Sequence, residues 1–239
     1  MTRWVLITRT PADCSDLQRM LEGSDIRLRP FPVLRVEDVT DDPGWPTAIE
    51  AAEHDGAWLV LASPRAPDRL TRQARERGAS SLLELPAAVV GTGTERAALA
   101  AGLRPAVVGP GTGVGLADEL AGRMRDGAPV VFACGHDRRP ELPAALETAG
   151  HRVVPLVVYR MRPTPPRELP PLPESLHAVV VTSPRAARLY LEGVGGHPLP
   201  CPHIAIGPTT RDAASGLGID CRTPSTPDLE SLAEELCRT

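Results

Sequence analysis

The 239-residue chain contains no lysine and no asparagine, and all 26 of its basic residues are arginine. Schiff-base chemistry on a lysine and a Walker-type phosphate loop are therefore excluded. Aromatic residues make up only 3% against a hydrophobic fraction of 42%, which fits an Ala/Val/Leu-rich α/β protein. The five cysteines (Cys14, Cys134, Cys201, Cys221 and Cys237) are odd in number and form no Cys-x-x-Cys pair. That pattern predicts reduced, mostly buried thiols in a cytoplasmic protein. Six histidines show no metal-ligand spacing, so no metal site is expected. The opening MTRWVLITRT has too short an apolar run for a signal peptide, and no run approaches membrane length. A net charge of −4 argues against a polyanion such as nucleic acid as partner. Gly-x-Ser-x-Gly, His-Glu-x-x-His and paired-carboxylate motifs are also missing. Chemistry that manages without strong acids, bases or nucleophiles is intrinsically easy and depends mainly on positioning.

What the chain does contain is a repeat. AVVVTSPRAARLYL, residues 178–191, restates AWLVLASPRAPDRL, residues 57–70. In both, an apolar run of strand length stops at Ser-Pro-Arg-Ala and becomes helix-like. Ser63 and Ser183 are placed to cap the following helix, with Pro64 and Pro184 at its first position, where a missing N–H costs nothing. Each corner is sufficient as a strand-to-helix turn without any ligand. It also gathers bare N–H groups, a hydroxyl and a guanidinium, a combination that suits an anion.

The remaining pattern alternates strands and helices. Strands are expected at Trp4–Thr8, Arg27–Val36, Ala87–Val90, Ala106–Val108, Val130–Cys134, Arg152–Arg160, His203–Ile206 and Ile219–Arg222, besides the two in the repeat. Helices are expected from Pro11 to Glu22, over Glu95–Ala101, Leu116–Arg125, Asp137–Ala149, Arg211–Gly216 and Leu229–Arg238, and after each Ser-Pro-Arg. Glu37–Pro46 reads as an acidic connector and Met161–Pro173 as a proline-dense one. Gly91–Gly102 overlays Gly207–Gly218, and Leu116–Leu120 overlays Leu232–Leu236 at the same offset. The chain therefore reads as a duplication. Each half supplies five short strands of a doubly wound parallel sheet, whose ligands bind at the carboxyl ends of the strands. The glycine-rich turn Gly109–Gly115 does not make a dinucleotide fingerprint, because Val114 or Leu116 stands where the third glycine is needed.

Taken together, LASPRA and VTSPRA, VVGTGTERAAL and IAIGPTTRDAA, with VLITR and VVPLVVYRM, resemble the uroporphyrinogen-III synthase family over nearly the whole chain. The resemblance implies two similar doubly wound, flavodoxin-like domains joined by two crossings, with the ligand cleft between them. Domain 1 would comprise residues 1–36 and 164–239, and domain 2 residues 37–163. The residue pattern by itself leaves open an unswapped division near residue 126.

The family further implies a cofactor-free lyase acting on a linear, polycarboxylate tetrapyrrole, hydroxymethylbilane, whose ring D is inverted on closure. Tyr159 matches the tyrosine proposed to assist departure of the hydroxyl; a phenol is a neutral donor at pH 7. Tyr190, at helical spacing beyond Ser183, reads as packing. Thr94 and Thr210 match the threonines of two Gly-x-x-Thr turns and are equally placed to cap helices. Arg9, Arg65, Arg138 and Arg185, with backbone N–H groups after Ser63, Gly135, Ser183 and Gly207, are candidate donors to substrate carboxylates. Cys134-Gly135-His136-Asp137 departs from the family's usual turn at that place. A monomer is expected. A two-lobed small-molecule binding protein, or a family relative with another substrate, would share this architecture; the former predicts binding without turnover.

Overall fold

A computed structural model describes residues 2–239. The chain divides into two units. One contains the chain up to Arg35 together with Arg162–Thr239, the other Val36–Met161. The divisions fall within β3 (Leu34–Asp38) and β8 (Arg152–Pro163).

The first unit is built on β1 (Arg3–Ile7), β2 (Ile26–Pro30), β9 (Ala178–Val181), β10 (His203–Ala205) and β11 (Cys221–Arg222). They form a sheet of order β11-β10-β9-β1-β2 in which all pairs are parallel. Alternation along the strands divides its core. Val5, Ile7 and Val180 face α1 (Ser15–Met20) and α10 (Leu229–Arg238). Leu6, Val179 and Val181 face α8 (Pro184–Gly193) and α9 (Pro208–Ser215). A parallel strand buried on both faces reads as a continuous apolar run, which is what VLI and AVVV are.

The second unit has a sheet of order β3-β8-β7-β4-β5-β6, with β4 (Trp58–Leu61), β5 (Ala87–Val89), β6 (Pro105–Val108) and β7 (Pro129–Gly135). From β8 through β6 the pairing is parallel. One face carries α2 (Trp45–Ala52), α3 (Ala66–Glu76), α4 (Ser81–Glu84) and α5 (Thr92–Ala100). The other carries α6 (Gly113–Leu120) and α7 (Glu141–Thr148). Both sheets are thus doubly wound.

Several local expectations are corrected. The strand expected over Arg27–Val36 is two strands in two different sheets, β2 and β3, separated at Phe31–Val33. Pro30 and Pro32 lack the N–H that a continuous ladder requires there. The helix expected from Asp137 starts only at Glu141, because Arg139 precedes Pro140 and is biased away from helical backbone. The helix expected from Leu116 starts at Gly113, where the Thr112 hydroxyl accepts from the Gly115 N–H at 3.1 Å. The first helix opens as a tight 3-10 turn, Ala12–Cys14, before α1.

The two Ser-Pro-Arg corners differ in one respect. Ser183 is the N-cap of α8, accepting from the Ala186 N–H at 3.1 Å. Ser63 does not cap α3, which begins at Ala66. In the second corner the Ala187 N–H donates to the Ser183 carbonyl at 2.9 Å, closing the first helical turn. The equivalent residue of the first corner is Pro67, which has no N–H to give to Ser63, so the helix starts later.

Candidate active site

The carboxyl ends of β4, β5 and β7 in the second unit open onto a cavity of about 440 Å³. Its floor is apolar, formed by Val90, Phe132 and Leu142 with Cys134. Burial pushes the Cys134 thiol up to about 11, so it is protonated and a poor nucleophile at neutral pH. Ser63 lies on the wall. Its hydroxyl accepts from the Arg65 N–H at 3.3 Å, within the turn that precedes α3. The late start of α7 leaves Asp137–Arg139 as loop, and this loop carries Arg138 and Arg139 to the rim with both side chains exposed. Asp137 and Glu141 stand beside them, so the rim presents both signs of charge.

Tyr159, 8% exposed, completes the wall. It pairs with Gly135 across β8 and β7, and its carbonyl accepts from the His136 N–H at 2.9 Å. A further part of the wall is the turn into α6, Gly111 to Val114. This turn packs so closely on the start of α5 that a Cβ on Gly91 would lie 3.1 Å from the Gly111 Cα.

Of the residues expected from sequence, the cavity therefore gathers Ser63, Gly135, Arg138 and Tyr159. Arg65 sits one residue before α3 and does not line it; its carbonyl accepts from Arg69 at 2.9 Å. Thr94 is the third residue of α5 and buried. It is not a cap: that place belongs to Gly91, in extended backbone. Thr210 is likewise the third, buried residue of α9, which follows Gly207.

In the first unit, Arg9, Ser183, Arg185, Gly207 and Thr210 gather at the carboxyl ends of adjacent strands β1, β9 and β10. The Thr8 N–H donates to the Val180 carbonyl at 3.0 Å, and the Ile206 N–H to the Val181 carbonyl at 3.1 Å. A hydroxyl pair joins β1 to β9 here, with Thr8 Oγ1 3.1 Å from Thr182 Oγ1 and accepting from the Thr182 N–H at 3.1 Å. The burial pattern of residues 181–188 repeats that of residues 61–68 position by position.

Sequence reasoning missed Thr112–Val114, Arg139 and Glu141 at the cavity, and the Thr8–Thr182 pair. The signal for the first was present, since Gly109–Gly115 reads as a turn into a helix once no nucleotide motif is demanded of it. Among the described residues no three His, Cys, Asp or Glu side chains converge as metal ligands. No helix in the described chain is long and apolar enough to cross a membrane.

The family profile of uroporphyrinogen-III synthase HemD matches residues 15–234. The chain belongs to the uroporphyrinogen-III synthase family. Its fold is similar to that of the crystal structure of uroporphyrinogen-III synthetase from Helicobacter pylori, with a TM-score of 0.65 at 17% identity, covering 100% of this chain and 99% of that one. A mutant uroporphyrinogen III synthase from the extremely thermophilic bacterium Thermus thermophilus matches with a TM-score of 0.57 at 21% identity, over 99% and 98% of the two chains. No curated protein sequence matches. Family membership makes this chain an enzyme of tetrapyrrole biosynthesis.

Proposed function

We propose that the chain converts hydroxymethylbilane to uroporphyrinogen III as a cofactor-independent lyase. The net change is loss of one water. The terminal hydroxyl leaves with a proton, producing an azafulvene-type electrophile. Ring D attacks it through its substituted carbon to give a spiro intermediate. That intermediate fragments and recloses with ring D inverted, and the proton released from the newly bonded carbon of ring D restores the pyrrole N–H given up when water left. No electrons enter or leave the substrate, so no redox group is required.

The observation that carries this reading is Tyr159 on the wall of an apolar-floored cavity whose rim bears Arg138 and Arg139. A phenol beside a leaving hydroxyl hydrogen-bonds the departing oxygen without needing to be charged. The apolar floor suits a pyrrole ring, and the rim guanidiniums suit its carboxylates. The Ser63 hydroxyl is a further candidate donor at this cavity, and Arg9, Ser183, Arg185 and Gly207 form a separate candidate set at the strand ends of the first unit. Closure without the enzyme gives isomer I, so the protein's task is to hold a flexible molecule in the one arrangement that permits inversion. The enzyme is proposed to act as a cytoplasmic monomer, with no nucleic-acid or membrane partner.

The test couples the purified protein to hydroxymethylbilane generated in situ, oxidises the products and separates the uroporphyrin isomers. Predominant isomer III, diminished in Tyr159→Phe, is expected. Isomer I alone, at the spontaneous rate and with folded protein, would overturn the reading.

A further inference from the structure

We infer that Gly135 is a positioning residue whose missing side chain steers the Tyr159 phenol to the cavity. The inference rests on the role proposed for Tyr159. Along β8, Val154, Leu156 and Val158 face the core under α2 and α3, while Val153 and Val157 face α6 and α7. Plain alternation would send Tyr159 to the α6/α7 face. Instead the register with β7 slips: Cys134 pairs with Val157, but Gly135 pairs with Tyr159, leaving Val158 as an extra residue. Such a bulge re-aims the side chain that follows it. Tyr159 accordingly packs with Leu156 and Val158 in the α2/α3 core. Yet it also lines a cavity shared with Phe132, Cys134 and Leu142 of the opposite face.

Gly135 is where the ring passes the end of β7. A Cβ built there would lie 2.6 Å from Tyr159 Cζ, 2.7 Å from Cε2 and 2.9 Å from Oη. The ring occupies the space that any other residue would fill with its side chain. Gly135 is not demanded by its own backbone, which is ordinary strand. The bulge is secured from behind. The Val158 carbonyl accepts from the Val39 N–H at 3.1 Å and from the amide of fully buried Gln73 at 3.0 Å. The ring is thus held between a fixed strand and a glycine.

The test measures isomer III formation by the wild type, Gly135→Ala, Tyr159→Phe and the double variant. Gly135→Ala should lower kcat as Tyr159→Phe does, by on the order of 10²-fold, the usual worth of a positioned proton donor. KM should stay within about twofold, and the double variant should be no slower than Tyr159→Phe alone. An unchanged kcat would overturn the inference. So would a raised KM at unchanged kcat, which would make Gly135 a backbone donor to substrate, or a double variant that multiplies the two losses. A stability arm reads the contact directly, even if Gly135→Ala folds too poorly to assay. In a Tyr159→Ala background the ring is gone, so adding Gly135→Ala should no longer lower Tm; an equal loss in both backgrounds would overturn the inference. If the wild type yields only isomer I, the functional reading fails while this arm still decides whether Gly135 and the ring compete for one space.

Discussion

The Tyr190 hydroxyl lies 2.9 Å from His203 Nε2 in the interior of the first unit, the two rings tilted at 59°. The same oxygen accepts from the Leu199 N–H at 3.0 Å. Burial pushes the phenol up to about 12 and pushes the imidazole down. Both groups are therefore neutral at pH 7 and share one hydrogen bond, so one hydroxyl ties α8, β10 and the proline-rich loop between them.

Removing that hydroxyl in Tyr190→Phe leaves the Leu199 N–H and His203 Nε2 without this partner, at a cost of about 1–3 kcal/mol in unfolding free energy. Denaturant unfolding measures it, and an unchanged midpoint would mean that the bond contributes nothing net. The pH dependence has a definite sign. Folded His203 binds its proton less readily than the unfolded chain does. Its stabilising balance is full above about pH 6.5, the ordinary histidine value, and is lost as pH falls below it. Melting temperatures should drop between about pH 7.5 and about pH 5.5, and drop less in His203→Gln. Identical drops would assign the effect to another group.

The two serines of the repeated corners should not be equivalent. Ser183→Ala removes the N-cap of α8 and should cost about 1 kcal/mol. Ser63→Ala removes a longer hydrogen bond inside a turn and should cost less than half of that. Matched losses in urea unfolding would contradict the difference that Pro67 imposes on the first corner.

Thiol chemistry should follow burial. Cys14, Cys134 and Cys221 are buried, and their thiols are pushed up to about 11. Cys237 is exposed and Cys201 half-buried. In a timed alkylation of native protein at neutral pH, read by peptide mass, Cys237 should be labelled first and the three buried thiols only on unfolding. Early labelling of Cys134 would show that the cavity floor is open to reagents.

Under the proposed function, the Arg138 and Arg139 guanidiniums at the rim bind the substrate carboxylates alike in ground and transition states. Arg138→Leu should raise KM several-fold, about 3–10, with kcat little changed. The wild-type KM should also climb with salt, since exposed charges are screened over about 8 Å at physiological ionic strength. A fall in kcat at constant KM would move Arg138 into the chemistry.

Most of the local structure was legible in the residues. The apolar runs VLI and AVVV are strands because they are buried on both faces, and Ser183 with Pro184 reads as a helix start because those two residues satisfy or dispense with the first N–H groups. Three misreadings arose where a proline changed a neighbour's options. Pro67 delays α3, Pro140 delays α7, and Pro30 with Pro32 cuts one expected strand into two. At the site, Tyr159, Ser63 and Arg138 could be named in advance, whereas Thr112–Val114 waited for the fold to show which loops face the cavity.

Family membership and the strand–turn–helix grammar belong to the sequence, because capping, alternation and apolar runs act over a few residues. Which strands pair was decided only by the tertiary structure: β1 pairs with β9, with β2 on its outer side, rather than with β4, the nearer repeat in the chain. Pairing depends on burying whole faces contributed by residues more than a hundred positions apart, and short-range pattern is the same for either partner. The bulge at Val158 has the same origin. Nothing in VVPLVVYRM marks where alternation breaks; the break exists because Gln73 and Val39 hold one carbonyl and Gly135 yields its space to the ring.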